Sequence, residues 1–143
     1  NFSVRAMMNI ATKGSLRNAV DDCFSGDADI ALFYFSGHGY IDSIVGYIVT
    51  PDLLMALWLV HAGLLTIVNQ SKCKNKVVIL DCCHSGMMGN MQIGNQNTAV
   101  ISEGVTLLTA SKKTVSVEVN GHGVFTSLLI DALNGGAATY SEI

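Results

Sequence analysis

His38 and Cys83 are the residue types from which a general base and a nucleophile are made, and each follows an apolar run. The first run reads Ile30-Ala-Leu-Phe-Tyr-Phe-Ser-Gly-His-Gly39, the second Val77-Val-Ile-Leu-Asp-Cys-Cys-His-Ser-Gly86. A thiol becomes an effective nucleophile towards a carbonyl once a neighbouring imidazole takes its proton. Apolar runs that break at glycine are the pattern of buried parallel strands reaching the carboxyl edge of a sheet. Binding and reacting groups in open α/β sheets collect at that edge. The pattern therefore predicts that both side chains are delivered there from glycine turns. Gly37, Gly39 and Gly86 let the main chain come close to a bound substrate. The N–H groups of Gly39 and Cys83 are the natural donors of an oxyanion hole.

Cys82 and Cys83 compete for the role of nucleophile. Successive residues leaving a strand point to opposite faces, so only one can face a cleft. Cys83, directly before His-Ser-Gly, is the expected one, and Cys82 is then a small core residue. His84 is too close in sequence to serve Cys83 as its base, and a turn role suits it better. His122 lies in a second Gly-His-Gly, and at a helix start its cationic form is disfavoured, so capping or packing is expected. His61 interrupts an apolar run and reads as a core histidine. Other chemistries lack their residues. Gly89 stands where a cysteine phosphatase needs arginine, no Gly-x-Ser-x-Gly elbow occurs, and contiguous Cys-Cys-His cannot chelate one zinc ion from a strand end.

The elements that must position these residues alternate along the chain. Its 143 residues, half of them apolar and 13% charged, suffice for one core and argue against disorder. A net charge of −3 with scattered Lys and Arg argues against nucleic acid and against an anionic membrane surface. Four cysteines without a Cys-x-x-Cys pair suit a reducing, cytoplasmic setting better than a disulfide framework. Phe2 to Ile10 is apolar enough for a strand. Lys13 to Phe24 reads as a helix through Leu16, Ala19, Val20 and Cys23, with Gly26 as its stop. Strands are expected at Ala28 to Phe35, Tyr47 to Thr50, Val77 to Leu80 and Val105 to Thr109, and a helix at Val124 to Leu133, ended by Gly135 and Gly136. The apolar run over residues 53–68 falls short of a membrane span and reads as a buried or partner-covered helix, with a strand as the lesser alternative. Residues 86–103, rich in Gly, Asn, Gln and Met, read as a mobile loop. Alternation of strand and helix implies an α/β fold with a mostly parallel sheet.

Tyr34-Phe-Ser-Gly-His-Gly39 and Asp81-Cys-Cys-His-Ser-Gly86 resemble the histidine and nucleophile motifs of caspase-like cysteine peptidases, metacaspases more than animal caspases. Gly104-Val-Thr-Leu-Leu-Thr-Ala-Ser111, Glu118 and Gly121-His-Gly-Val-Phe-Thr126 are similar to the stretches that follow in that family. The resemblance implies a three-layer caspase-like fold over residues 1–143, partial at both ends. The family's first strand has no counterpart here, which leaves room for a partner completing the sheet. The resemblance also implies an endopeptidase working through a thioester on protein or peptide substrates, with no cofactor for catalysis. Calcium activates parts of the family, but no acidic cluster assigns a site.

Within that resemblance Asp81 matches the metacaspase residue and Ser36 the pocket-lining serine, which implies cleavage after Arg or Lys. A carboxylate at the base of a pocket attracts a guanidinium and repels an aspartate; the plainer role for Asp81 is a turn cap. Residues 86–102 hold no Lys or Arg, so basic specificity predicts no self-cleavage there. Two other readings are a caspase-like scaffold without turnover and, less favoured, a membrane-linked sensor using residues 53–68.

Overall fold

The computed structural model describes residues 2–41, 46–52, 57–82, 101–110, 118–119 and 122–136. The first helix, α1 (Lys13–Phe24), has the expected bounds. Thr12 caps it, its hydroxyl accepting from the Ser15 N–H at 3.1 Å, which satisfies one of the unpaired donors of the first turn. Leu16, Val20 and Phe24 recur every fourth residue and are buried, forming one apolar stripe. At the far end the Ser71 hydroxyl donates to the Phe24 carbonyl at 2.8 Å.

Five strands form the main sheet: β1 (Ile30–Ile41), β2 (Gly46–Val49), β3 (Leu57–Leu59), β4 (Asn75–Cys82) and β5 (Val105–Thr109), ordered β3-β2-β1-β4-β5. β1, β4 and β5 run parallel, as the βαβ pattern predicts. β2 and β3 pair antiparallel, so the sheet is mixed where a mostly parallel one was expected. The reason is local: β2 follows β1 after a short connection, which suits a hairpin and is too short for a crossover.

Two expectations are corrected. The described part of the run over 53–68 is not one helix, since residues 57–59 form β3 and the chain then turns through a π-helical segment (Val60–Leu65) into the short α2 (Thr66–Gln70). Short apolar runs carry no periodicity that separates strand from helix. Leu64, Leu65 and Val68 are buried, so its helical part does join the core. The N-terminal segment, expected as a strand, pairs with no described strand. Phe2, Val4 and Met8 are 75%, 86% and 84% exposed, and Arg5 instead bridges to Asp22 at 2.8 Å. Among the described residues no helix is long and apolar enough to cross a membrane.

One face of the sheet carries the core. Ala31, Phe33, Val78, Leu80 and Cys82 pack with Leu16, Val20, Phe24, Leu64, Leu65 and Val68 from the helices. Gly104 turns the chain into β5 with φ +74°, and a Cβ there would fall on the Lys74 carbonyl, so only glycine fits. A small hairpin, β6 (Glu118–Val119) and β7 (His122–Gly123), was not anticipated. Glu118 pairs with Gly123 and Val119 with His122, antiparallel. It leads into α3 (Val124–Asp131) and a π-helical turn (Ala132–Gly136). Of the expected loop over 86–103, only residues 101–103 fall among those described.

Candidate active site

The register of β1 against β4 arranges the site. Ser36 pairs with Asp81 and Gly37 with Cys82, in the last two rungs of the parallel ladder. At the next residue β1 changes partner: His38 pairs with Val49 of β2, and Gly39 with Ile48. His38 therefore lies inside a strand rather than in a glycine turn. Sheet pairing on successive edges overrides the flanking glycines, whose sequence signal is of a break. The His38 side chain is exposed to solvent. Gly37 has a packing role: a Cβ there would stand 2.7 Å from Phe35 Cζ, so the Phe35 ring occupies the space the glycine leaves.

Alternation divides the neighbouring residues between the two faces. Cys82 is buried in the core, as expected, while Asp81 is half-buried on the opposite face beside Ser36. There Asp81 meets the first turn of α3. The Thr126 hydroxyl donates to Asp81 Oδ2, and the Tyr34 phenol lies 2.6 Å from Thr126 Oγ1. Gly123, the N-cap residue of α3, would place a Cβ 3.0 Å from Asp81 Oδ2, so the backbone comes close to the carboxylate. A negative charge at a helix N-terminus is favoured by the helix dipole.

Ser36, Asp81 and His38 thus lie together at the carboxyl end of β1 and β4, with Gly39 one residue further along β1. Cys83, His84 and Gly86 lie outside the described residues. His122 belongs to β7, one residue before the cap of α3, so it does not itself open the helix. His61 lies in the π-helical segment. Burial, and after it the neighbouring Cys73 thiol, push the Cys23 thiol above its ordinary value, which keeps it protonated and a poor rival nucleophile. Among the described residues no three His, Cys, Asp or Glu side chains converge on a point that could hold a metal ion.

Sequence reasoning gave no role to Tyr34 or Thr126, although both fall within recognisable motifs. The available signal was partial. Strand alternation places Tyr34, Ser36 and, through the register, Asp81 on one face, but nothing local brings Thr126 to them.

No curated protein matches the chain at a significant level. The family model described as the caspase domain, Peptidase_C14, matches residues 1–143. An α/β sheet with helices meeting both faces agrees with that match. The chain belongs to the caspase-domain family of cysteine peptidases, hydrolases of the protease class.

Proposed function

We propose that this chain is a cysteine endopeptidase in which Cys83 attacks the scissile carbonyl and His38 acts as general base. The observation that carries the reading is the parallel register: Gly37 pairs with Cys82, and the residue that follows each of them in the chain is one of the two candidates. Burial of Cys82 at 6% exposure removes its rival. His38 takes the thiol proton as sulfur bonds to the carbonyl carbon, and the oxyanion is held by the N–H groups of Gly39 and Cys83. Collapse of that intermediate breaks the peptide C–N bond, and His38 returns the proton to the departing amine. Water, deprotonated by His38, then hydrolyses the thioester and frees Cys83. Ser36 and Asp81 line the pocket for the residue before the cut, and Asp81 selects Arg or Lys by charge and bidentate geometry. A free catalytic thiol suits a reducing, cytoplasmic setting.

One edge of β1 supports the reading that a further strand belongs to the sheet. Over residues 30–37 β1 is paired with β4 alone among the described residues, and β2 takes its other edge from His38 onward. At that edge the Cys23 thiol contacts the Leu32 carbonyl at 3.4 Å. In this reading a further strand, from a partner or from more of the same protein, would displace that contact and complete a three-layer sandwich.

The test is hydrolysis of a fluorogenic peptide with Arg before the leaving group. Cys83→Ala and His38→Ala should each reduce kcat/KM by on the order of a thousandfold or more while leaving the melting temperature nearly unchanged. Full turnover in Cys83→Ala would refute the assignment. A folded wild type that neither cleaves the peptide nor reacts at Cys83 with an arginine-directed thiol probe would instead be a scaffold.

A further inference from the structure

We propose that Tyr34 and Thr126 are positioning residues that fix the Asp81 carboxylate for a basic side chain through a one-way relay of hydroxyls. The inference rests on the reading of Asp81 as a pocket carboxylate. Its direction follows from proton counting. Thr126 has a single hydroxyl proton, and that proton is given to Asp81 Oδ2. An ionised carboxylate donates nothing, so Thr126 meets Tyr34 as an acceptor, and the phenol at 2.6 Å is the donor. The order is therefore Tyr34 to Thr126 to Asp81. Each link in such a chain polarises the next, and the last is charge-assisted.

Geometry shows why the pocket needs this relay. A guanidinium is read by a carboxylate held in one plane at one angle, and a freely rotating side chain spends binding energy on being ordered. Thr126 restrains Asp81 through Oδ2, and the Gly123 backbone closes against the same oxygen. Ser36, the register partner of Asp81, lies alongside. The threonine itself is placed by α3, a helix in which no residue is fully buried. Docking of α3 and orientation of the pocket charge are consequently one event.

The competing explanation is that the hydroxyls merely fasten α3 to the sheet. Two fluorogenic peptides, identical except for Arg or norleucine before the cleaved bond, separate the two. Thr126→Val keeps the shape and removes the donor; it should lower the Arg-to-norleucine ratio of kcat/KM roughly tenfold, mostly through a higher KM for the Arg peptide. Thr126→Ser should restore most of the ratio, and Tyr34→Phe should lower it roughly threefold. Added to Asp81→Asn, Thr126→Val should cost no further selectivity. An unchanged ratio in Thr126→Val, or losses that simply add to those of Asp81→Asn, would overturn the relay. If Thr126→Val does not fold, Tyr34→Phe carries the same decision, because Tyr34 is 40% exposed and its loss leaves the core intact. A wild type indifferent to Arg would show that the pocket reading itself had failed, before any variant is made, and the relay would fall with it.

Discussion

At the carboxyl end of the β1–β4 ladder the two faces of the sheet are built by opposite rules. On one, Phe33, Val78 and Leu80 meet α1 and the segment around α2 in a packed apolar layer. On the other, Tyr34, Ser36 and Asp81 carry hydroxyls and a charge, and the helix that reaches them keeps Leu128 65% exposed. The same two strands serve both faces because alternate residues point to alternate sides. Buried apolar surface, at about 25 cal/mol per Å², fixes strand position from one side. Polar groups on the other side then inherit that position without having to create it. The site's precision is borrowed from the core beneath it.

That division is broken most severely from the core. Leu80→Ala deletes a fully buried side chain in the strand that ends at the site, and should lower unfolding stability by about 2–5 kcal/mol. Leu128→Ala on α3, largely solvent-facing, should change it by less than about 0.5 kcal/mol. Urea denaturation followed by circular dichroism measures both. Equal losses would mean that α3 buries more than its exposure shows, and that the two faces share one rule.

Cys82 sharpens the comparison because it stands one residue from the proposed nucleophile yet belongs to the core. Cys82→Ala should cost about 1 kcal/mol of stability and retain most of the peptidase activity. A large loss of kcat with an unchanged denaturation midpoint would move the chemistry from Cys83 to Cys82.

What the sequence revealed tracks how local each signal was. α1 was readable because Leu16, Ala19, Val20 and Cys23 repeat at helical spacing and Gly26 supplies a stop. β5 was readable from Val-Thr-Leu-Leu-Thr after a glycine. The glycines around His38 read as a turn, because the partner that extends the strand, β2, lies beyond it in the chain. The run over 53–68 misled for the converse reason: uniform hydropathy has no period, and strand pairing with β2 decides its first part. The Tyr34–Thr126–Asp81 contacts span 92 and 45 residues. No spacing rule reaches that far, so their shared motifs suggested membership in a site without suggesting contact.

The smallest expected effect tests where the two regions are joined. Asp52, just past β2, accepts the Thr50 hydroxyl at 2.5 Å and the Lys13 N–H at 3.1 Å, tying the hairpin that pairs with His38 to the first turn of α1. The Thr50 hydrogen bond first, then the Lys13 N–H, hold its carboxyl below the ordinary value of 3.8; desolvation opposes them, and the Asp52 N–H and the Lys13 charge add the smallest contributions. The folded state therefore binds fewer protons than the unfolded chain as acid is added. This stabilisation is complete above the unfolded value and disappears as pH falls through the lower, folded one. Asp52→Asn should be less stable than wild type near pH ~7, and the two denaturation midpoints should converge as the pH falls below the folded value. Wild-type and variant curves that stay parallel across that window would show that the bond is not formed in solution, and that β2 holds His38 in place without help from the helix on the core side.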